Sequence, residues 1–107
     1  MSEVKTVAVI GAGIMGRGIA HAAAVGGYRT ILEDILPNAL RRAETEIRSN
    51  LDKAVELGKV TPADADAAFS RLEYASSVEE AARQAAHRGG RCDVAGGGTG
   101  GHRMLLL

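Results

Sequence analysis

The sequence predicts an α/β fold, a parallel sheet whose strands alternate with helices, truncated after its third strand and the helix that follows. Three observations predict it. The run Val7 to Ala20, VAVIGAGIMGRGIA, passes from a short apolar strand through a glycine turn into an apolar helical pattern. A second strand-like run, Tyr28 to Asp34, ends in an acidic pair. Helical periods then alternate with one more short strand as far as Ala86, where the composition changes abruptly.

Each element has a local reason. Thr6 to Ile10 is rich in β-formers and reads as strand one. Helix one is predicted from Ile14 to Val25, and Gly26-Gly27 ends it. Thr30 to Leu32 is the core of strand two, which places Asp34 at the strand's carboxyl end. Leu36, Leu40, Ala43, Ile47, Leu51, Ala54 and Val55 recur at helical spacing, with charged residues mostly on the other faces. Gly58 stops that helix, and Thr61-Pro62 restarts another over Ala63 to Arg71, Thr61 as N-cap and Pro62 at the first helical position. Leu72 to Ala75 reads as strand three. Ser77 then caps a last helix over Val78 to Ala86, whose first turn holds Glu79 and Glu80 where the helix dipole favours them.

The glycine spacing carries chemistry. In Gly11-x-Gly13-x-x-Gly16 the first glycine permits the tight turn, the second lets the backbone approach a pyrophosphate, and the third lets helix and strand pack closely. Free N–H groups near Gly13 to Met15 and the positive helix end bind the phosphate charge without a lysine. The candidate binding residues are Gly11, Ala12, Gly13, Ile14, Met15 and Gly16. The other half of a dinucleotide fingerprint is a carboxylate on the adenosine ribose. Asp34 is preferred for it; Glu33 is the alternative, because a slip of one residue would exchange the two faces of the strand. An acid here repels a 2′-phosphate, and Ile35 follows where an NADP reader would carry arginine, so NAD is the expected cofactor. The fold class is therefore a Rossmann-type NAD-binding fold with a helical hairpin between strands two and three. The bland alternative is a glycine-rich turn beside a solvated acidic pair.

Gly11-Ala-Gly-Ile-Met-Gly-Arg-Gly-Ile-Ala20 and the following His21 to Asp34 resemble the start of the NAD-binding domain of the 3-hydroxyacyl-CoA dehydrogenases, in particular the bacterial 3-hydroxybutyryl-CoA type. The resemblance continues through Asn50 to Lys59 and Arg71 to Arg83 and stops near Ala86. It implies a long helical excursion between strands two and three, an acyl-CoA substrate, and a homodimer for the full-length parent. It also implies catalysis by a His paired to a Glu, with a Ser and an Asn, all beyond the point of divergence; neither His87 nor His102 matches them. Lys53 or Lys59 would lie where a CoA phosphate passes, although a solvated helix face explains them as well. His21, among alanines on helix one, is given no role.

From His87 onward the chain holds half of its 14 glycines and no period of either kind. Residues 1–86 are therefore read as the N-terminal part of an NAD-binding domain, and 87–107 as a Gly-rich tail, disordered or out of frame. A frameshift after Ala86 accounts for the break, with a natural flexible tail as the alternative. Arg91 to Ala95 is a poor substitute for the buried fourth strand the family has there, since glycine and arginine flank it. Without that strand, strand one becomes an exposed edge and the core is marginal.

Thirteen basic and thirteen acidic residues leave no net charge, which removes the electrostatic case for nucleic acid or an anionic membrane. No apolar run approaches the roughly 20 residues of a membrane span, and Met1 to Lys5 leads into strand one rather than a signal peptide, so a cytoplasmic location is expected. Cys92 is the only cysteine, and with His87 and His102 it makes a poor metal set lacking a paired motif; no metal is expected. The expected function is the NAD-binding portion of an NAD-dependent 3-hydroxyacyl-CoA dehydrogenase of fatty acid metabolism, inactive alone and with no catalytic residue of its own. The alternatives are a non-enzymatic nucleotide-binding module and a fragment of another Rossmann dehydrogenase, such as the 3-hydroxyisobutyrate type.

Overall fold

In the computed structural model, residues 5–87 and 91–96 are described. The order is β1 (Lys5–Ile10), α1 (Ile14–Val25), β2 (Arg29–Glu33), α2 (Pro37–Glu56), α3 (Pro62–Ser70), β3 (Leu72–Ala75), α4 (Val78–His87) and β4 (Arg91–Gly96). The four strands form one parallel sheet in the order β3-β2-β1-β4.

Strand parity divides the core into two layers. Val9, Leu32 and Leu72 face α1, α2 and α3, where Ala20, Ala24, Ala43, Ile47, Leu51, Ala65 and Ala68 meet them. Ala8, Ile31, Ala75 and Cys92 face the other way, onto Ala81 and Ala85 of α4. Ile31 and Leu32 are both fully buried, one in each layer. Burying a side chain of that size contributes about 1.5–3 kcal/mol. Ala43, Ile47 and Leu51 stand on the buried stripe of α2, as the helical spacing requires.

The caps are those the residues dictate. Gly27 takes φ 97° at the end of α1, a left-handed conformation open to glycine. The Thr61 hydroxyl accepts from Asp64 N at 3.1 Å to start α3, with Pro62 in its first turn. The Ser77 hydroxyl accepts from Glu80 N, while Glu80 Oε1 accepts from Ser76 N at 2.8 Å, a reciprocal arrangement that closes the start of α4.

One expectation is overturned. The sheet does not stop at β3, and β1 is not an edge: β4 runs beside it from Lys5↔Arg91 to Ile10↔Gly96. Gly96 closes β4, and no glycine interrupts the run from Arg91 to Ala95. Between them Cys92 and Val94 alternate onto the α4 layer, and Asp93 is buried as well. The row of unpaired N–H and C=O groups that β1 would otherwise present is satisfied by this parallel partner. Residues 97–107, with His102 and the terminal apolar run, lie outside the described residues.

Candidate functional site

The site is built where β1 and β2 end. Gly11 turns the chain out of β1 at φ 98° and donates its N–H to Glu33 O at 2.7 Å, which ties the loop to the last residue of β2. One residue on, Ala12 N donates to Asp34 Oδ2 at 2.9 Å. The other carboxylate oxygen accepts from Leu36 N, also at 2.9 Å, and Asp34 N donates to Ala75 O at 3.1 Å. Asp34 is thus held by β3, by its own turn and by the glycine loop. Glycine loop and acid, 22 residues apart in the chain, form one unit.

Gly16 shows how tightly α1 is docked. A Cβ there would lie 1.8 Å from Gly11 O and 2.9 Å from Gly11 C, contacts with backbone that no rotamer relieves. Gly13 is the opposite case, because a Cβ on it would meet nothing within 4 Å. Its bare Cα therefore serves no packing need inside the chain and leaves space beside the loop. Gly13 O accepts from Arg17 N as α1 begins, and no side chain caps that helix. The first-turn N–H groups are the donors an α-helix leaves without internal acceptors.

All seven candidate residues, Gly11 to Gly16 and Asp34, converge at this carboxyl end of the sheet. Ala12 is buried and offers its backbone, whereas Ile14 and Met15 are 81% and 58% exposed. Ile35, Leu36 and Val78 are exposed too, so large apolar side chains stand exposed just beyond the carboxyl ends of β1, β2 and β3. The sequence pattern marks Leu36 and Val78 only as helix positions; each stands three residues beyond the end of its strand. The donor set fits a diphosphate anion with an apolar body: backbone N–H groups for the phosphates and a fixed carboxylate for a diol.

Parity places the two acids on opposite faces of β2. Asp34 reaches the loop, while Glu33 points to the α4 layer and is 4% exposed. Burial raises the Glu33 carboxyl pKa above the ordinary carboxylate range; the Asp34 charge adds to the rise and the Gly11 amide opposes it. Tyr74 on β3 is pushed up to about 12, first by burial and then by Glu44. His21 is half-buried with Nδ1 lacking a partner. Lys53 and Lys59 are exposed. Burial, then Asp93, holds the Cys92 thiol above its usual range, and among the described residues no group of His, Cys, Asp or Glu assembles as a metal site. No described helix is long and apolar enough to cross a membrane.

Comparison with known proteins gives a consistent result. Residues 6–87 match the family model for the NAD-binding domain of 3-hydroxyacyl-CoA dehydrogenase. A 3-hydroxyadipyl-CoA dehydrogenase of Escherichia coli is 44% identical over 72 residues, 67% of this chain and 15% of that protein. A 3-hydroxybutyryl-CoA dehydrogenase of Bradyrhizobium diazoefficiens is 38% identical over 79 residues, 74% of this chain and 27% of that protein. Among solved structures, a 3-hydroxybutyryl-CoA dehydrogenase from Escherichia coli superposes with TM-score 0.67 at 41% identity, covering 70% of this chain and 16% of that one. This chain therefore spans about a quarter or less of the length of these relatives.

Proposed function

The chain belongs to the 3-hydroxyacyl-CoA dehydrogenase family, within its Rossmann-type NAD-binding domain, and on that premise we propose that the glycine loop and Asp34 are where it holds NAD. Gly11 to Gly16 cradle the pyrophosphate through the free amides of the first turn of α1. Asp34 accepts from the adenosine ribose hydroxyls through the lone pairs not engaged by Ala12 N and Leu36 N. Ile14, Met15 and Ile35 shield the bound dinucleotide from water. When bound, NAD supplies a hydride acceptor; the residues of this chain bind and orient it.

For the whole protein we propose NAD-dependent oxidation of a 3-hydroxyacyl-CoA in fatty acid metabolism, in the cytoplasm and as a homodimer. The present chain carries none of the catalytic residues and does not turn over substrate. The observation supporting the binding role is the Asp34 Oδ2 to Ala12 N hydrogen bond, which joins the ribose acid to the phosphate loop. Calorimetric titration of the purified chain with NAD, paired with an NADH absorbance assay on 3-hydroxybutyryl-CoA, tests both parts. Saturable NAD binding without NADH is expected; absence of binding, or turnover, overturns the corresponding part.

A second reading is favoured by β4. A chain that completes four strands with its own residues fits a non-enzymatic nucleotide-binding module. The compositional break after Ala86 favours the broken-parent reading instead, as a change of reading frame. Translating the other frames of the coding DNA beyond codon 86 separates them: an apolar strand followed by the family's His and Glu supports the parent, and no readable fold supports the module.

A further inference from the structure

We propose that Glu33 is a buried negative charge that sets how readily the crevice accepts anionic nucleotides, its ionisation lowering affinity in proportion to the ligand's charge. The proposal rests on the dinucleotide reading above.

The placement of Glu33 carries it. It is the last residue of β2, 4% exposed, and lies between Ile10 of β1 and Ala75 of β3 in the register of the sheet. Its carbonyl accepts from Gly11 N, and the Gly11 amide also acts on its carboxyl, so the charge lies beside the first residue of the loop that receives phosphate, on the α4 side of the sheet. Of the groups around it, only the Gly11 amide favours its charged form. Asp34 is an adjacent acid; Ile10 and Ala75 are apolar; Glu73, two residues before Ala75, is paired with Arg29. In the first turn of α4, Glu79 and Glu80 are acids, and Glu80 accepts from Ser76 N. Among the described residues no cation pairs with Glu33. Burial and Asp34 both favour its protonated form.

A carboxylate in this position acts against the amides and helix dipole that attract phosphate. The effect follows Coulomb's law and so scales with ligand charge: absent for adenosine, present for NAD, and larger for NADP with its extra phosphate. A residue with a purely packing role would change all three alike.

The experiment compares the wild-type chain with Glu33→Gln for binding of adenosine, NAD and NADP between pH 5 and 8. At pH 8 the variant is expected to bind NAD roughly fivefold more tightly and NADP by a larger factor, with adenosine unchanged; the gain shrinks as pH falls and Glu33 protonates. Equal shifts for all three ligands, or none, overturn the proposal. If Glu33→Gln does not fold, the wild-type chain provides the test: NAD titrations in buffers of different ionisation enthalpy, stepped upward in pH from the ordinary carboxylate range, should show proton uptake, and zero uptake at every step overturns it. Failure of the wild-type chain to bind NAD refutes the underlying reading, whereas normal NAD binding with no charge-graded effect refutes only the role of Glu33.

Discussion

Strand β2 ends differently at its two poles. At the amino pole Arg29 is engaged by protein groups: Nε and one terminal nitrogen donate to the two Glu73 carboxylate oxygens at 2.5 and 2.9 Å, and that nitrogen also donates to Gln84 O. The guanidinium side chain is only 11% exposed, so this pairing is what makes its burial tolerable. At the carboxyl pole Asp34 contacts backbone amides alone, the helix beside it has no side-chain cap, and large apolar side chains stand exposed. The first pole joins β2, β3 and α4; the second leaves donors and apolar surface uncovered. The contrast teaches that one short strand separates groups paired within the fold from the end proposed to bind NAD, and substitutions at the two poles should affect different measurements.

The largest effect is expected at Gly16. Gly16→Ala places a methyl against Gly11 backbone, so α1 must move away from the loop; NAD affinity should fall by about 100-fold or more, equivalent to at least roughly 2.7 kcal/mol. Gly18→Ala on the same helix meets nothing within 4 Å and should leave binding intact. Similar losses in both variants would mean that the loop contact is not what matters.

At the amino pole Arg29→Ala leaves Glu73 unpaired and removes the bond to Gln84 O. Chemical denaturation should show a loss of about 2 kcal/mol, while the variant that remains folded keeps its NAD affinity. A weakened affinity in that folded fraction would break the separation of the poles. Asp34→Asn is the converse: roughly tenfold weaker NAD binding, about 1.4 kcal/mol, with relatively better tolerance of NADP and little change in the denaturation midpoint. Thr61→Ala, remote from both poles, should cost about 1 kcal/mol of stability through the lost cap and leave binding untouched.

Much of this contrast was legible in the sequence, for local reasons. Glycines fix both ends of α1, so its bounds follow from Gly13 and Gly26, and a period of two separates Asp34 from Glu33 once the strand is placed. Thr61-Pro62 states the start of α3 in two residues. What was illegible depends on distant partners. β4 has weak strand composition and exists because β1 offers it a ladder across the α4 crossover. Arg29 and Glu73, 44 residues apart, give no hint of each other, and the burial of Glu33 is set by the strands on either side of it rather than by its neighbours in the chain.

The smallest expected effect is the dependence of stability on Glu33 ionisation. Its folded pKa is raised above that of an unfolded carboxyl, so the folded chain holds this proton more tightly than the unfolded chain does. The stability it contributes is fully present below the unfolded carboxylate pKa and is lost as pH rises through the folded one. Denaturation of the wild-type chain should therefore show a decline in stability with pH across that window that Glu33→Gln lacks, with Arg29 and Glu73 intact in both. A parallel course in the two proteins would place the carboxyl in contact with solvent and remove the contrast between the buried acid on one face of β2 and the loop-facing acid on the other.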